Sequence, residues 1–190
     1  MSDAKTQATS HAHHMMDALG LTPEADQELA KTPSRLVGLL EDLFTGINAP
    51  PPTLSTFDVD DMSRSPVMLI GIKFQSMCVH HLLPFFGTLD VAYVPDQKIV
   101  GFGSIPRVID HFAAQPQMQE RMVKHIADHL EAHLAPKGLL IRCRARQLCM
   151  EYRGSKRSGE LLSLASRGCL KEGATRQEIL NQFLTSNAPL

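Results

Sequence analysis

Between residues 66 and 168 the hydrophobic period changes in a set order, and that order leaves few folds open. "PVMLIGIKF" and "GTLDVAYVP" are apolar, β-branched runs and read as strands. Asp96 and Gln97 turn the chain into "KIVG". "SIPRVIDHFAA" and "PQMQERMVKHIADHLEAHL" then read as helices. In the second, Met118, Met122, Ile126 and Leu130 recur every four residues, with Val123, Ala127 and Leu134 beside them. Alternation returns in "GLLIRCRARQLCMEY", which reads as a strand, and more weakly in "GELLSLAS". The order strand, strand, helix, helix, strand, strand predicts an α+β unit. Two helices lie on one face of a four-stranded antiparallel sheet.

The flanks are helical. Residues 1–9 are polar and are expected to be mobile, with a helix over 10–20 ending at Gly20. "TPSRLVGLLEDLFTG" predicts a second helix, with Thr32 as N-cap, Pro33 at the first helical position and Gly46 past the end. Leu36, Leu39, Leu40, Leu43 and Phe44 form its apolar stripe. "NAPPPTLS" is a stiff linker, because proline cannot continue a helix. "ATRQEILNQFLTS" closes as a helix. The expected division is a helical segment with linker over 10–54 and a catalytic domain over 55–190. No internal repeat is visible.

The bulk properties narrow the function. The chain has 190 residues and a formal net charge of -1, so it lacks the basic excess of a general nucleic-acid or anionic-membrane binder. No run of about 18 apolar residues is present to span a membrane. "MSDAKTQATSHAHHMMDALGL" lacks the basic start and apolar core of a signal peptide. Four cysteines, Cys78, Cys143, Cys149 and Cys169, do not make a disulfide framework in a chain this long. Reduced thiols in a cytoplasmic protein are expected, open to metal binding or catalysis.

"SMCVHHLLPFFG" places Cys78, His80 and His81 in one short segment. Thiolate and imidazole are zinc's preferred protein ligands, and a catalytic zinc keeps three of them and one open position. Cys78 and His81 can face one ion from a strand end, and Cys149 is the best third candidate. The competing reading makes Cys149 a small buried hydrophobe on a strand. On that strand Gln147 would share its face. Cys143 would lie about 20 Å further along and belong to the core. Cys169 receives no role.

"CVHHLLPFFG", "VAYVPDQKIVGF", "PQMQERM" and "LCMEYRG" together resemble the GTP cyclohydrolase I family, in order and at compatible spacing. "KTPSRLVGLLEDLFTG" is similar to its N-terminal helix and "TRQEILNQFL" to its last, so the resemblance covers about residues 12–185. It implies the tunnelling fold, whose subunits close into barrels stacked as large homo-oligomers, decamer-like rings. It also implies a zinc-dependent enzyme that opens the imidazole ring of GTP and releases C8 as formate. The skeleton then recloses as dihydroneopterin triphosphate. By the resemblance Cys78, His81 and Cys149 hold Zn2+, and His80 is the acid–base histidine. Glu120, with Gln119 beside it, recognises guanine, and Arg107 and Arg153 bind phosphates. Each role suits its side chain. Carboxylates accept paired N–H groups, guanidinium forks match phosphates, and imidazole moves protons near neutral pH.

The chain departs from the family pattern at four places. Val79 replaces a glutamate. Gly103 and Ser104 stand where Ser-Lys is usual, so Ser104 takes the place of a phosphate-binding lysine. Gln147 replaces a second catalytic histidine, and glutamine carries no proton at neutral pH. After Arg153 and Gly154 the family is followed only loosely. Two further readings therefore stand beside the full reaction. One is a diverged paralogue that stops at the ring-opened formamide or takes another guanine compound. The other is a non-catalytic zinc-binding homologue that regulates an active enzyme.

Other polar groupings have plainer readings. His125, His129 and His133 share a helix face and are expected on a solvated or subunit-facing surface. "HAHH" at 11–14 reads as a helix start. Lys156 and Arg157 could stand in for the missing lysine. Arg142, Arg144 and Arg146 alternate on one strand face, as a subunit interface or a basic surface.

Overall fold

A computed structural model describes residues 3–59 and 65–185. The chain forms two compact units, Met1–Thr45 and Gly46–Leu190. In the first, α1 (Asp3–Ala18) packs on α2 (Thr32–Leu43). The first helix starts at Asp3 rather than at residue 10. "DAKTQATS" carries helix-forming Ala, Lys and Gln but no apolar stripe, so its periodicity is silent. The "HAHH" segment consequently lies inside the helix rather than at its start. Gly20, at φ 78°, turns the chain out of α1. Thr32 is already helical: Lys31 occupies the N-cap position without a side-chain cap, and Pro33 follows as expected. His13 bonds Asp17 at 3.1 Å and Glu24 at 2.6 Å, one carboxylate on each ring nitrogen.

The second unit is built on a five-stranded sheet. Its long strands are β2 (Val67–Cys78), β3 (Pro84–Val94), β6 (Gly138–Gln147) and β7 (Glu160–Gly168). They run antiparallel in the order β2-β3-β6-β7, and the two-residue β5 (Pro116–Gln117) adds in parallel at the end of β2. β1 (Thr56–Asp58) pairs with β4 (Lys98–Val100) as a separate ribbon, so "KIVG" does not extend the main sheet. α3 (Ser104–Ala113) and α4 (Gln119–Leu134) follow the expected helices.

The sheet has a core on each face. On one, Leu89, Val91, Leu139, Ile141 and Cys143 pack with Ile105 and Ile109 of α3 and Met122, Ile126 and Leu130 of α4. On the other, Ala92 and Leu140 meet Leu170 with Ile179 and Phe183 of α6 (Ala174–Thr185). Each fully buried aliphatic side chain contributes about 1.5–3 kcal/mol. β3 and β6 approach so closely that a Cβ on Gly87 would lie 1.9 Å from the Arg144 carbonyl oxygen.

Arg142 does not form a basic surface. It is buried and bonds Asp90 through Nε at 2.7 Å and through Nη2 at 2.6 Å. It also donates to the Phe183 carbonyl. Asp90 in turn accepts the Gly71 N–H at 2.8 Å, where β2 bulges between Leu69 and Ile72. Arg146 pairs with Glu151 at 2.7 Å, and Arg144 lies 3.8 Å from Glu160. His129 also departs from expectation. It is buried, with Nε2 3.1 Å from the Pro52 carbonyl as donor and its ring stacked 4.2 Å from that of His133.

Candidate metal centre

One end of the sheet gathers the chemistry. Cys78 ends β2 and lies opposite Gln117 of β5, and Gln147 ends β6 opposite Phe85 at the start of β3. The turn between β2 and β3 carries His80 and His81. It is closed by Cys78 N–H to Leu83 O and Leu82 N–H to Cys78 O, both at 2.9 Å. Leu82 adopts φ 50°, a left-handed conformation that costs a non-glycine residue about 1–2 kcal/mol. Val79 N–H donates to the Gln117 carbonyl at 2.9 Å, which props the turn against β5. Gln117 is itself buried, and its amide spans Phe112 O and Arg121 Nε. No spacing in the sequence marks this support.

Cys149 is not on a strand. β6 ends at Gln147, and the chain curls into α5 (Leu148–Tyr152). Pairing stops there: Arg146 is the last partner for β7 and Gln147 the last for β3. Glu151 then folds back on Arg146. The shared-face argument linking Cys149 to Gln147 therefore fails, yet the helical turn still delivers Cys149 to the end of β2. The ligand atoms of Cys78, His81 and Cys149 all lie within 4.8 Å of one another. Cys78 Sγ is 4.0 Å from the Nδ1 atoms of both His80 and His81. Tetrahedral sites with Zn–S near 2.3 Å and Zn–N near 2.0 Å hold such atoms roughly 3.5–3.8 Å apart. Two thiols and an imidazole suit a thiophilic divalent ion, and three ligands leave a fourth position open.

Burial, and then the adjacent Cys78 thiol, push the Cys149 thiol up from its ordinary range. A cation between the two sulfurs reverses that preference. Cys143 is a different case. It is fully buried, and burial, followed by Asp90 and Glu120, holds its thiol protonated. It belongs to the core, as expected.

The remaining predicted residues fall into two pairs and two exposed side chains. Gln147 Nε2 donates to Gln119 Oε1 at 2.8 Å. Arg107 Nη2 donates to Ser104 Oγ at 3.1 Å, and the same hydroxyl accepts the Ser55 N–H at 3.0 Å. Ser104 is buried, so its hydroxyl anchors Arg107 and the approach to β1. Glu120 is exposed in the first turn of α4, where the helix dipole favours a carboxylate. Arg153 is exposed at the end of α5, followed by Lys156 and Arg157 in the exposed loop. Among the described residues, one other trio could share an ion: His13, Asp17 and Glu24. Its histidine commits each ring nitrogen to a different carboxylate, which makes it an ion-pair bridge.

Comparison with known proteins agrees over the length of the chain. A model of the GTP cyclohydrolase I family matches residues 8–184. The chain is 37% identical over 168 residues to "GTP cyclohydrolase 1" of Campylobacter lari, covering 87% of this chain and 88% of that one. Identity to the protein of that name from Wolinella succinogenes is 36% over 186 residues, 96% and 99% of the two chains. For that of Streptococcus pyogenes it is 34% over 184 residues, 95% and 94%. The four antiparallel strands with α3 and α4 are the α+β arrangement expected from the order of the elements. Architecture, converging cysteines and histidine, and similarity end to end lead to one assignment: the chain belongs to the GTP cyclohydrolase I family.

Proposed function

We propose that this protein is a zinc-dependent GTP cyclohydrolase that opens the imidazole ring of GTP at C8 and yields formate and dihydroneopterin triphosphate. The observation that carries this reading is the convergence of Cys78, His81 and Cys149 from two segments remote in sequence, with His80 beside them. The S,S,N donor set fits zinc. A zinc ion there supplies Lewis acidity and makes hydroxide available near neutral pH.

The chain's own residues supply the rest. His80 takes and returns protons at the purine nitrogens during ring opening. The Glu120 carboxylate accepts the N1–H and 2-amino hydrogens of guanine, a donor pair that adenine does not present. Arg107 keeps guanidinium hydrogens beyond the one given to Ser104, and with Arg153 it grips the triphosphate. Ser104 contributes by holding Arg107 rather than by charge. The protein acts in the cytoplasm as a homo-oligomer. Among the described residues no strand pairs with the outer edge of β7, and Leu161, Leu162 and Leu164 stand exposed along it. An open apolar edge suits barrel closure by further copies of the chain.

A second reading is favoured by Gln147, which cannot carry a proton and is bonded to Gln119. In it, the protein opens the ring and retains the formyl group. Incubation of the zinc-loaded protein with GTP, with formate and pterin fluorescence followed separately, decides between the two. Formate and pterin rising together support the full reaction. A ring-opened product that retains its formyl mass supports the second reading, and unchanged GTP sinks both.

A further inference from the structure

The amide of Gln119 is buried at the start of α4. Its Nε2 lies 3.3 Å from Cys143 O, 3.1 Å from Leu161 O and 3.0 Å from Ser163 Oγ. Backbone carbonyls of β6 and β7 only accept, so the atom facing them must be the NH2 group. That settles which way the amide lies, a matter that atom positions alone leave to the hydrogen-bond network. The Gln119 oxygen therefore faces Gln147 and can only accept from it. Gln147 must present its own NH2, as the 2.8 Å contact from Nε2 to Oε1 requires. The direction of the second amide is thus dictated, through the first, by two main-chain carbonyls.

We infer that Gln119 is a positioning residue. It holds Gln147 with the amide nitrogen turned toward α4, so that the side chain of residue 147 keeps its carbonyl oxygen as the remaining acceptor at the end of β6. The inference rests on the proposed function for its catalytic meaning but not for its geometry. Both side-chain amide hydrogens of Gln119 are committed to the sheet and its neighbour Ser163, so the side chain has no donor left for a nucleotide. An acceptor fixed in this way at the end of β6, where the chain turns into the segment that carries Cys149, orients an O–H or N–H donor that reaches it. The arrangement also accommodates histidine: a ring N–H would satisfy the Gln119 oxygen and leave the other ring nitrogen as the acceptor.

Side-chain amide exchange measured by NMR on 15N-labelled protein tests the geometry. One Gln147 amide proton is expected to exchange about tenfold or more slowly than a free glutamine amide. That protection should vanish in Gln119→Met, and its persistence there overturns the inference. Should Gln119→Met not fold, Gln147→Met serves instead. Both Gln119 amide protons should stay protected in it, since the sheet carbonyls hold them, and their release overturns the proposed order of anchoring. In turnover, Gln119→Met should lower kcat about ten- to a hundredfold with KM for GTP held within about threefold. The substitution should add little to Gln147→Ala in the double variant. Raised KM with additive losses would mean that Gln119 touches the nucleotide directly, and the positioning role fails. Gln147→His should remain epistatic to Gln119→Met in the same way. Amide exchange needs no nucleotide, so the inference stands or falls there even where the parent protein leaves GTP untouched, a result that sinks the proposed function alone.

Discussion

Among the described residues the candidate centre brings together three ligand atoms, one of them the Cys149 sulfur. Removing that sulfur leaves an ion half-coordinated by Cys78 and His81. Cys149→Ala is expected to lower metal content from about one per chain to a small fraction after dialysis, read by elemental analysis. Full retention would exclude Cys149 as a ligand. Leu82 gives a second residue-scale prediction. Its left-handed φ of 50° is held by the turn that carries His80 and His81, and its side chain is 43% exposed, so little packing opposes a change. Leu82→Gly should raise stability by roughly 0.5–1 kcal/mol in chemical denaturation, the relief of strain being offset in part by backbone entropy. Leu82→Val should lower stability, because a β-branched residue resists that conformation more strongly.

At the level of elements, the Asp90–Arg142 pair joins three strands and a helix: β2 through Gly71, β3 through Asp90, β6 through Arg142 and α6 through Phe183. Asp90→Ala leaves a buried guanidinium without its counter-charge and is expected to cost about 3–5 kcal/mol, measured by urea unfolding. Replacing both residues by apolar ones of similar size should cost much less. The sequence made the main elements legible but not this pair. The apolar stripe of α4 follows from where the helix buries its side chains, and the apolar runs that predict strands form β3 and β6. Arg142 alternates with Arg144 and Arg146, which predicts a subunit interface or a basic surface, because a counter-ion from another strand leaves no trace in local period. The end of β6 departs from the sequence expectation for a related reason. "LCMEY" continues the alternation, but a strand persists only where neighbours pair with it, and β3 and β7 both stop. That Cys78, His81 and Cys149 come together is legible from residue chemistry and family resemblance. The Gln119–Gln147 link is not, because it depends on carbonyls of two strands converging on one amide.

For the molecule as a whole, acid should weaken the fold before carboxylates titrate. Burial first, then the charge of His133, holds the His129 pKa below its usual range, and burial acts the same way on His111. In the unfolded chain both return to about 6.5. Below that pH the unfolded state therefore binds more protons than the folded one, and stability is lost as pH falls through about 6.5. Thermal unfolding should show a lower Tm at pH 5.5 than at pH 7.5. His129→Gln, which keeps a donor for Pro52 O, should flatten the slope, and an unchanged slope would remove His129 as its source. The two-faced sheet has a further consequence, which concerns time. The side chains that cover its second face, Leu170, Ile179 and Phe183, leave the ribosome after all four long strands. Until they emerge, Ala92 and Leu140 face water, and Arg142 lacks the carbonyl of Phe183. The nascent sheet is thus finished on its α3–α4 side while still open on the other. For that interval, solvent and chaperones can reach a surface that the completed protein never displays.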